Sequence, residues 1–492
     1  MENRNSNKLT LAREFEKKAI NESISTQRPS FHVSSPVGWF NDPNGFSLYN
    51  EEYHLFFQYH PYSIHWGPMH WGHMKTSDFI KWQTLPVALA PDQSFDESGC
   101  FSGTALEAGG KHVLMYTGVK EELLPNNRKE IRQTQCIAIG NGLDYEKLEG
   151  NPVIEGKMIP EGSSLVDFRD PKIWKEGEIY FALVANRNED GSGQLLLYKS
   201  INLKQWEKCS VLIKCNNEYG RMWECPDFFK LGEKDVIIIS PQDMKAKGLE
   251  LHNGNGNLYF IGQYDNCEYT FLKEEVGVLD YGFDFYAPQT LLAKDGRRIL
   301  IAWMQSWDNY LTPGHFTWSG MMTIPRELII KNGKIIQYPV RELEDYRANK
   351  VLYENYELNG AMELPGIHGR EIDMEVEILS GDYQNFQIKL AGNEEFYTCI
   401  SYNSQNKVIT FDRKYSGIDR DIICERQMQV FNEKEYIKMR ILLDKYSVEL
   451  FVNDGEKVMT SLCYTSLDTN KIKFDVNGTA IVNIVKYDIA VD

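Results

Sequence analysis

The sequence predicts an all-β protein in which a five-bladed β-propeller is followed by a β-sandwich. Two observations support this prediction: a hairpin pattern recurs five times within the first 337 residues, and the chain beyond residue 350 changes to period-two alternation. The length of 492 residues is too great for one ordinary core, so two domains are expected. Hydrophobic residues at 42% and charged residues at 25% are typical of a soluble globular protein.

A short helix is expected before the repeats. Residues 9–24 carry apolar side chains at helical spacing, within an N-terminal extension that we assign to residues 1–30. This segment is rich in charge and has no continuous apolar stretch, so it does not resemble a signal peptide. We therefore expect a cytoplasmic location.

The repeated unit is a β-hairpin whose second strand is strongly apolar. The five apolar runs are YHLFFQY (53–59), HVLMYTG (112–118), IYFALVA (179–185), DVIIISP (235–241) and RILIAWM (298–304). Their starts are separated by 59, 67, 56 and 63 residues, and a turn with another short strand precedes each run. Units of this length with three or four strands are typical of propeller blades, and we assign residues 31–337 to the propeller.

The last part of the chain has a different hydrophobic pattern. Residues 338–350 are predicted to form a short helical linker. Beyond it, segments such as FQIKLAG and KVITFDR alternate apolar and polar residues, which is typical of an antiparallel sandwich over residues 351–492. Its simplest role is structural support for the propeller, although it also offers a surface for a possible homo-oligomer.

Composition excludes several classes of function. The net charge of −17 argues against nucleic acid as a partner, since an acidic surface repels phosphate backbones. No apolar run approaches the length of a membrane span, so no membrane partner is expected. Nine cysteines without a C-x-x-C pair suit a reducing compartment and offer no zinc motif. The histidines at 60, 65, 70 and 73 lack a regular metal-ligand spacing, so no metal is expected.

A polar cluster lies just ahead of the first strand of each hairpin. The clusters are WFNDPNG (39–45), CFSGTA (100–105), FRDPKIW (168–174), WECPDFF (223–229) and FDFYAPQ (283–289). Equivalent positions of propeller blades gather around the central axis at one end. We therefore expect one funnel to contain the side chains of Asp42, Ser102, Asp170, Glu224 and Asp284, where crowded carboxylates must differ in pKa.

Paired carboxylates of this kind suit glycoside hydrolysis, which needs one ionised group and one protonated group. Asp42 lies among turn amides that can hold an anion, and the Arg169 cation is expected to keep Asp170 ionised. Glu224 has apolar neighbours in sequence, which favour a protonated acid. Taken singly, each residue also fits an ordinary turn or surface role. Their coincidence at matched repeat positions favours a catalytic site.

The same motifs resemble those of a known family. WFNDPNG resembles the W-M-N-D-P-N-G motif of the β-fructofuranosidase (invertase) family, glycoside hydrolase family 32, with Phe40 in place of Met. FRDP and the E-C pair of WECPDFF match two further motifs, and the similarity runs from about residue 31 through the sandwich. The resemblance implies a retaining double displacement with Asp42 as nucleophile, Glu224 as acid and base, and Asp170 as transition-state stabiliser.

The resemblance also implies a set of pocket residues and no metal or organic cofactor. We add Cys225, whose thiol lies beside the acid in sequence, and Asp284, the carboxylate of the fifth cluster. The expected substrate-binding residues are then Trp39, Asn41, Gln58, Trp66, Phe101, Ser102, Arg169, Cys225, Asp284, Tyr286 and Trp303. The expected substrate is a small carbohydrate: sucrose, sucrose 6-phosphate or a short fructo-oligosaccharide.

Three alternatives stay open at this stage. A fructan hydrolase or a fructosyltransferase would use the same scaffold with different loops beyond the fructosyl pocket. A non-catalytic sugar-binding propeller would require the loss of a carboxylate, yet all three are present. An inverting arabinan-type hydrolase is disfavoured by the WFNDPNG motif. The basic loop at 126–132 suits either a phosphorylated sugar or a solvated turn.

Overall fold

The computed structural model describes residues 6–22, 27–125, 127–430 and 436–491. The expected N-terminal helix is α1 (Asn7–Glu22), and positions 23 and 24 of the predicted helix lie outside the described residues. The Ser6 hydroxyl caps α1 by accepting a hydrogen bond from the Leu9 amide at 3.1 Å. Among the described residues, no helix has the length and apolar character needed to cross a membrane.

Five sheets form the propeller, each with four antiparallel strands and one with a fifth, short strand, which confirms the predicted fold class. In chain order their strands are β1 (Gly38–Tyr49), β2 (Glu52–His60), β3 (His70–Thr76), β4 (Gln83–Leu89); β5 (Gly99–Ala108), β6 (Lys111–Leu123), β7 (Lys129–Gly140), β8 (Tyr145–Lys147); β9 (Ser163–Glu176), β10 (Ile179–Asn188), β11 (Gly193–Ser200), β12 (Glu207–Lys214); β13 (Met222–Leu231), β14 (Lys234–Gln242), β15 (Leu258–Asp265), β16 (Thr270–Val278); and β17 (Tyr286–Leu292), β18 (Arg298–Trp303), β20 (Arg326–Lys331), β21 (Lys334–Pro339). A short strand, β19 (Trp318–Ser319), pairs in parallel with β1.

The ring of blades is closed around the innermost strands. Each of β1, β5, β9, β13 and β17 contacts the next, and β17 contacts β1. The five apolar runs found in the sequence form the second strands, β2, β6, β10, β14 and β18. These strands are buried on both faces because each blade is covered by its neighbours, which explains their continuous rather than alternating hydrophobicity.

The similarity between KTSDFIKW and YKSINLKQW reflects one turn used in two blades. In the first blade the Thr76 hydroxyl accepts from the Phe79 amide, and the Trp82 indole donates to the Phe79 carbonyl, both at 3.0 Å. The third blade repeats both hydrogen bonds with Ser200, Leu203 and Trp206. The tryptophan therefore closes the connection between the third and fourth strands of a blade.

The linker is shorter than the predicted range 338–350. Residues 338–339 end β21, a 3-10 helix spans Arg341–Tyr346, and residues 347–350 already belong to the first strand of a second, nine-stranded all-β unit. Its strands are β22 (Arg347–Met362), β23 (Ile372–Gly392), β24 (Tyr397–Asn403), β25 (Val408–Tyr415), β26 (Glu425–Gln429), β27 (Ile437–Asp444), β28 (Ser447–Val452), β29 (Lys457–Leu462) and β30 (Lys471–Ile489). The long β30 pairs with both β22 and β23. Buried Ile, Leu, Val, Met and Phe side chains fill this sandwich, as the period-two alternation predicts.

Buried charges join the propeller to the sandwich. The His32 imidazole lies 2.8 Å from an oxygen of Asp444 and 2.8 Å from an oxygen of Glu449. Burial alone would lower the pKa of His32, but the two carboxylates raise it to about 9. Glu449 also pairs with Arg326, whose guanidinium contacts Asp280 at 3.1 Å. The two domains therefore share a fully buried electrostatic network.

Candidate active site

A β-bulge lies at the same height in every innermost strand. The pairing register shifts between the first and second strands of all five blades, and the extra residues are Asn41-Asp42, Ser102, Asp170-Pro171, Cys225-Pro226 and Ala287-Pro288. Proline cannot donate to a ladder and is therefore tolerated at a bulge. Bulges re-aim side chains, and here they turn equivalent positions toward the central axis.

Three of these bulge residues hold a left-handed backbone. The φ angle is 61° at Asp170, 48° at Cys225 and 52° at Ala287. Such conformations cost about 1–3 kcal/mol for a residue other than glycine and cluster at functional sites. The strain is localised where the predicted catalytic side chains meet.

Asp42 is a buried carboxylate in which only one oxygen accepts hydrogen bonds from the described residues. Its Oδ2 accepts hydrogen bonds from the Ser102 hydroxyl at 2.7 Å and from the Cys225 thiol at 3.5 Å. Its Oδ1 accepts none within the described part of the chain. Burial and the negative charge of Glu224 raise the pKa of Asp42 above its ordinary value. This geometry holds the carboxylate in place and leaves Oδ1 free to react.

Asp170 lies next to Asp42 and shares the Cys225 contact. Its Oδ2 accepts from the Cys225 amide at 3.0 Å, and the Cys225 thiol is 3.6 Å away. Burial raises its pKa to about 7; the Arg169 cation opposes this shift, and the charges of Glu224 and Asp42 reinforce it. Arg169 therefore acts on Asp170 in the expected direction, but burial and the neighbouring carboxylates outweigh it.

Glu224 is surrounded by hydrogen-bond donors. The Arg169 Nε atom donates to Oε1 at 2.9 Å, while the Tyr286 hydroxyl and the Gln242 amide donate to Oε2 at 2.6 and 2.8 Å. The predicted apolar setting is wrong, because the carboxylate points away from its apolar sequence neighbours. Gln242 was missed by the sequence analysis. The sequence does contain a feature that could have indicated it: Gln242 is a polar residue directly after the apolar run 235–241, at the end of β14 that faces the carboxylates.

The other predicted pocket residues divide into two groups. Asn41 accepts from the Trp39 indole at 2.8 Å, and Gln58, opposite the first bulge, donates to the Cys100 carbonyl. Trp66 is 52% exposed, and its ring meets edge-on, at 6.1 Å, that of Phe101, the residue before Ser102. The structure thus brings these side chains to the funnel.

Trp303 and Asp284 differ in where the structure places them. Trp303 pairs with Tyr286 across β17 and β18 and packs against Trp39 at 6.0 Å, so it lies beside the other predicted pocket residues. The prediction for Asp284 is wrong: its Oδ2 pairs with Arg413 of the sandwich and accepts from the Leu462 amide at 2.7 Å. Asp284 precedes β17, so the bulge of the fifth blade does not include it. It belongs to the domain interface.

The histidine-rich stretch of the first blade does not form a cation site. His73 packs on Phe56 at 4.0 Å and bonds His54, whereas the Nδ1 atoms of His60 and His70 face the Pro68 carbonyl. Across the described ranges, no group of three or more His, Cys, Asp or Glu side chains is arranged to hold a metal ion.

Two family models match the chain and together span nearly all of it. Residues 32–339 match the N-terminal domain of glycosyl hydrolases family 32, and residues 342–490 match the C-terminal domain of the same family. The boundary between the two matches falls at the linker between the propeller and the sandwich.

Similar proteins align with nearly the whole chain. The sucrose-6-phosphate hydrolase of Zymomonas mobilis is 37% identical over 99% of this chain and 97% of its own length. The raffinose invertase of Escherichia coli is 35% identical, over 96% of this chain and 98% of its own. Among solved structures, a mutant of the Bombyx mori β-fructofuranosidase in complex with sucrose has a TM-score of 0.85 and 32% identity, with 99% of each chain covered. The sucrose-6-phosphate hydrolase of Lactobacillus gasseri has a TM-score of 0.83 and 26% identity, covering 99% of this chain and 97% of that one.

Proposed function

This chain belongs to glycosyl hydrolases family 32, and from that premise we propose that it is a retaining β-fructofuranosidase that releases fructose from sucrose or sucrose 6-phosphate. The relatives named sucrose-6-phosphate hydrolase and raffinose invertase support this activity. The sucrose complex of a structural neighbour supports a small carbohydrate as the ligand.

The first step is nucleophilic attack by Asp42. Its Oδ1 atom, which has no hydrogen bond among the described residues, forms a bond to the anomeric carbon of the fructosyl unit. The bond from that carbon to the leaving oxygen breaks, and Glu224 gives its proton to the leaving oxygen. The observation that carries the proposal is this pairing of a free carboxylate oxygen on Asp42 with a carboxyl group on Glu224 that donors hold in place.

The second step returns the enzyme to its starting state. Glu224, now ionised, takes a proton from water as the water attacks the fructosyl ester and releases Asp42. Asp170 accepts hydrogen bonds from fructosyl hydroxyls and stabilises positive charge on the ring in both transition states. The Cys225 thiol and amide hold Asp42 and Asp170 at fixed separation.

The test is removal of the nucleophile with the fold intact. We expect Asp42→Asn to lower kcat by about 10⁴-fold or more, the scale seen when one member of a catalytic unit is lost. Asp468→Asn, an exposed position in the sandwich, is the matched control. A near-normal rate in Asp42→Asn would contradict the assignment. Following fructose by NMR adds a second criterion, since retention requires β-fructofuranose as the first product.

The proposal includes a cytoplasmic location. All nine cysteines are free thiols, and most of them are buried. Proteins of reducing compartments keep their thiols in this state, whereas exported proteins tend to form disulfides. Reaction of the purified protein with a thiol reagent under denaturing conditions is expected to count nine groups, and a smaller count would argue for export.

A further inference from the structure

A loop at the funnel mouth carries an exposed aromatic ring that the steps above do not use. This loop, residues 304–317, connects β18 to β19. Trp307 is 41% exposed, and its ring centroid lies 4.9 Å from that of Trp303 and 6.2 Å from that of Trp39. The Trp39 indole in turn donates to Asn41, the residue before Asp42. The exposed ring therefore continues the wall of the fructosyl pocket outward.

The loop is held in place from two blades. The Asp308 carboxylate accepts hydrogen bonds from the amide and side chain of Asn255, at 2.9 and 2.7 Å, in the loop that follows β14. The Tyr310 hydroxyl donates to the Ile64 carbonyl at 3.2 Å, in the loop that follows β2. A ring positioned before binding costs little entropy when a ligand stacks on it. Trp307 meets this condition.

A cation from the sandwich reaches the same loop. The Arg420 guanidinium lies 4.7 Å from the centroid of the Tyr310 ring and donates to the carbonyls of Tyr310 and Thr312. Arg420 is exposed, and no ion pair is formed by it within the part of the chain that the structure describes. The Tyr310 ring is stacked on Trp39, with 6.0 Å between centroids. One ring therefore separates this cation from the pocket wall.

The chemistry of these groups points to the leaving group of the substrate. A sugar ring presents C–H groups that pack on an indole face, and a guanidinium binds phosphate through two parallel hydrogen bonds. Arg420 lies between Asp419 and Asp421 in sequence but forms no ion pair among the described residues, in a protein with a net charge of −17. An anionic ligand has most to gain from it.

We propose that Trp307 and Arg420 form the leaving-group subsite, in which Trp307 stacks on the glucosyl ring and Arg420 binds a phosphate on that ring. The proposal rests on the function proposed above and specifies its substrate as a disaccharide phosphorylated on the leaving sugar, such as sucrose 6-phosphate. The sandwich then contributes directly to specificity, beyond its role as support.

Arg420 is tested by comparing kcat/KM for sucrose 6-phosphate and for sucrose. We expect Arg420→Gln to lower kcat/KM for the phosphorylated sugar by about tenfold or more, the usual worth of a hydrogen bond to a charged group. The effect should lie mainly in KM, sucrose should change by less than about twofold, and Arg420→Lys should recover part of the loss. Arg341→Gln, which removes an exposed arginine of the linker, is the control.

Trp307 is tested with leaving groups of different size. We expect Trp307→Ala to raise KM for sucrose by about tenfold, with methyl β-D-fructofuranoside changed by less than about twofold because methanol has no ring to stack. Trp307→Phe should lie between Trp307→Ala and the wild type.

Each other outcome overturns the proposal. If Arg420→Gln lowers kcat/KM equally for sucrose 6-phosphate and sucrose, Arg420 only holds the loop in place. If kcat/KM does not change for either sugar, Arg420 is not part of the site. If Trp307→Ala raises KM equally for sucrose and for methyl β-D-fructofuranoside, the Trp307 ring does not contact the leaving group. These results are distinguishable from failure of the proposed function, in which the wild-type protein would release fructose from none of the three substrates.

Discussion

Glu224 is held by three donors that differ in what their removal would disturb. Arg169 also contacts Asp167 and Gln133, and Tyr286 also approaches the Ser240 carbonyl, so either change would move neighbouring groups. The Gln242 amide contributes one neutral hydrogen bond at 2.8 Å to Oε2. Gln242 is therefore a positioning residue that can be removed with little other change.

We expect Gln242→Leu to lower kcat for sucrose by about tenfold and to leave KM within about twofold, because one neutral hydrogen bond that orients the acid is lost. Steady-state kinetics with the purified variant measures both constants. Gln263→Leu, an exposed glutamine of the same blade on β15, is the matched control. A change confined to KM would instead place Gln242 in contact with the substrate.

The strands and bulges of the blades explain why most of the site could be predicted from the sequence, whereas the prediction for Asp284 was wrong. The apolar runs mark the second strands well, since burial on both faces leaves a continuous hydrophobic signal. In four of the five blades the bulge is marked by a residue directly before a proline: Asp42, Asp170, Cys225 and Ala287; the second-blade bulge at Ser102 has no proline. Asp284 was predicted to occupy the funnel position of the fifth blade because it is the carboxylate nearest that bulge in sequence. Ala287 is the equivalent position.

The directions of side chains were less predictable from sequence than their positions. The apolar neighbours of Glu224 suggested an apolar environment, but a strand alternates its faces and a bulge rotates them, so sequence neighbours do not surround the carboxylate. Arg169 precedes Asp170 in sequence, yet its guanidinium bonds Glu224 and Asp167. Contacts across blades depend on the closed ring, which local patterns do not describe.

A buried histidine cluster lies between the first two blades. His54 Nδ1 is 2.9 Å from His73 Nε2, and His112 lies 2.9 Å from the Ser47 hydroxyl and 2.8 Å from the Tyr145 hydroxyl. Burial lowers the pKa of His54 to about 4 and those of His73 and His112 well below 6.5. The folded protein keeps these imidazoles neutral.

This cluster predicts loss of stability in mild acid. In the unfolded chain histidine binds a proton near pH 6.5, whereas the folded cluster does not, so the free energy of unfolding falls as the pH drops below 6.5. For His54 alone the shift from 6.5 to about 4 amounts to about 3 kcal/mol by pH 4. We expect His112→Gln to reduce the slope of unfolding free energy against pH between pH 5 and 6.5, as measured by urea titration.

Two comparisons make the test specific. His315→Gln, which replaces an exposed histidine outside the cluster, should keep the wild-type slope. Burial raises the pKa of Glu16 to about 7, so its contribution has the opposite sign and is lost as the pH rises through 7, but it is present in every variant and cancels. An unchanged slope in His112→Gln would show that the cluster does not control acid stability.

At the scale of the whole molecule, the domain interface combines apolar packing with charges that have no access to solvent. Asp284 and Arg413 pair with both side chains fully buried, and the Arg413 guanidinium lies 4.1 Å from the centroid of Phe283. Repeats and alternation in the sequence indicated two β domains. They contain no information about which charges meet across the boundary, since each partner follows its own local pattern and the pair is 129 residues apart.

We expect Arg413→Met to lower the free energy of unfolding by about 3–5 kcal/mol, because it leaves the Asp284 carboxyl buried without its cation. Arg341→Met breaks the exposed pair with Glu327 and should cost about 0–1 kcal/mol. Adding Asp284→Asn to Arg413→Met should recover much of the loss, since the neutral amide still accepts the Leu462 amide hydrogen. Urea unfolding of the four proteins measures these differences. If Arg413→Met costs no more than Arg341→Met, the buried pair of Asp284 and Arg413 does not contribute to holding the two domains together.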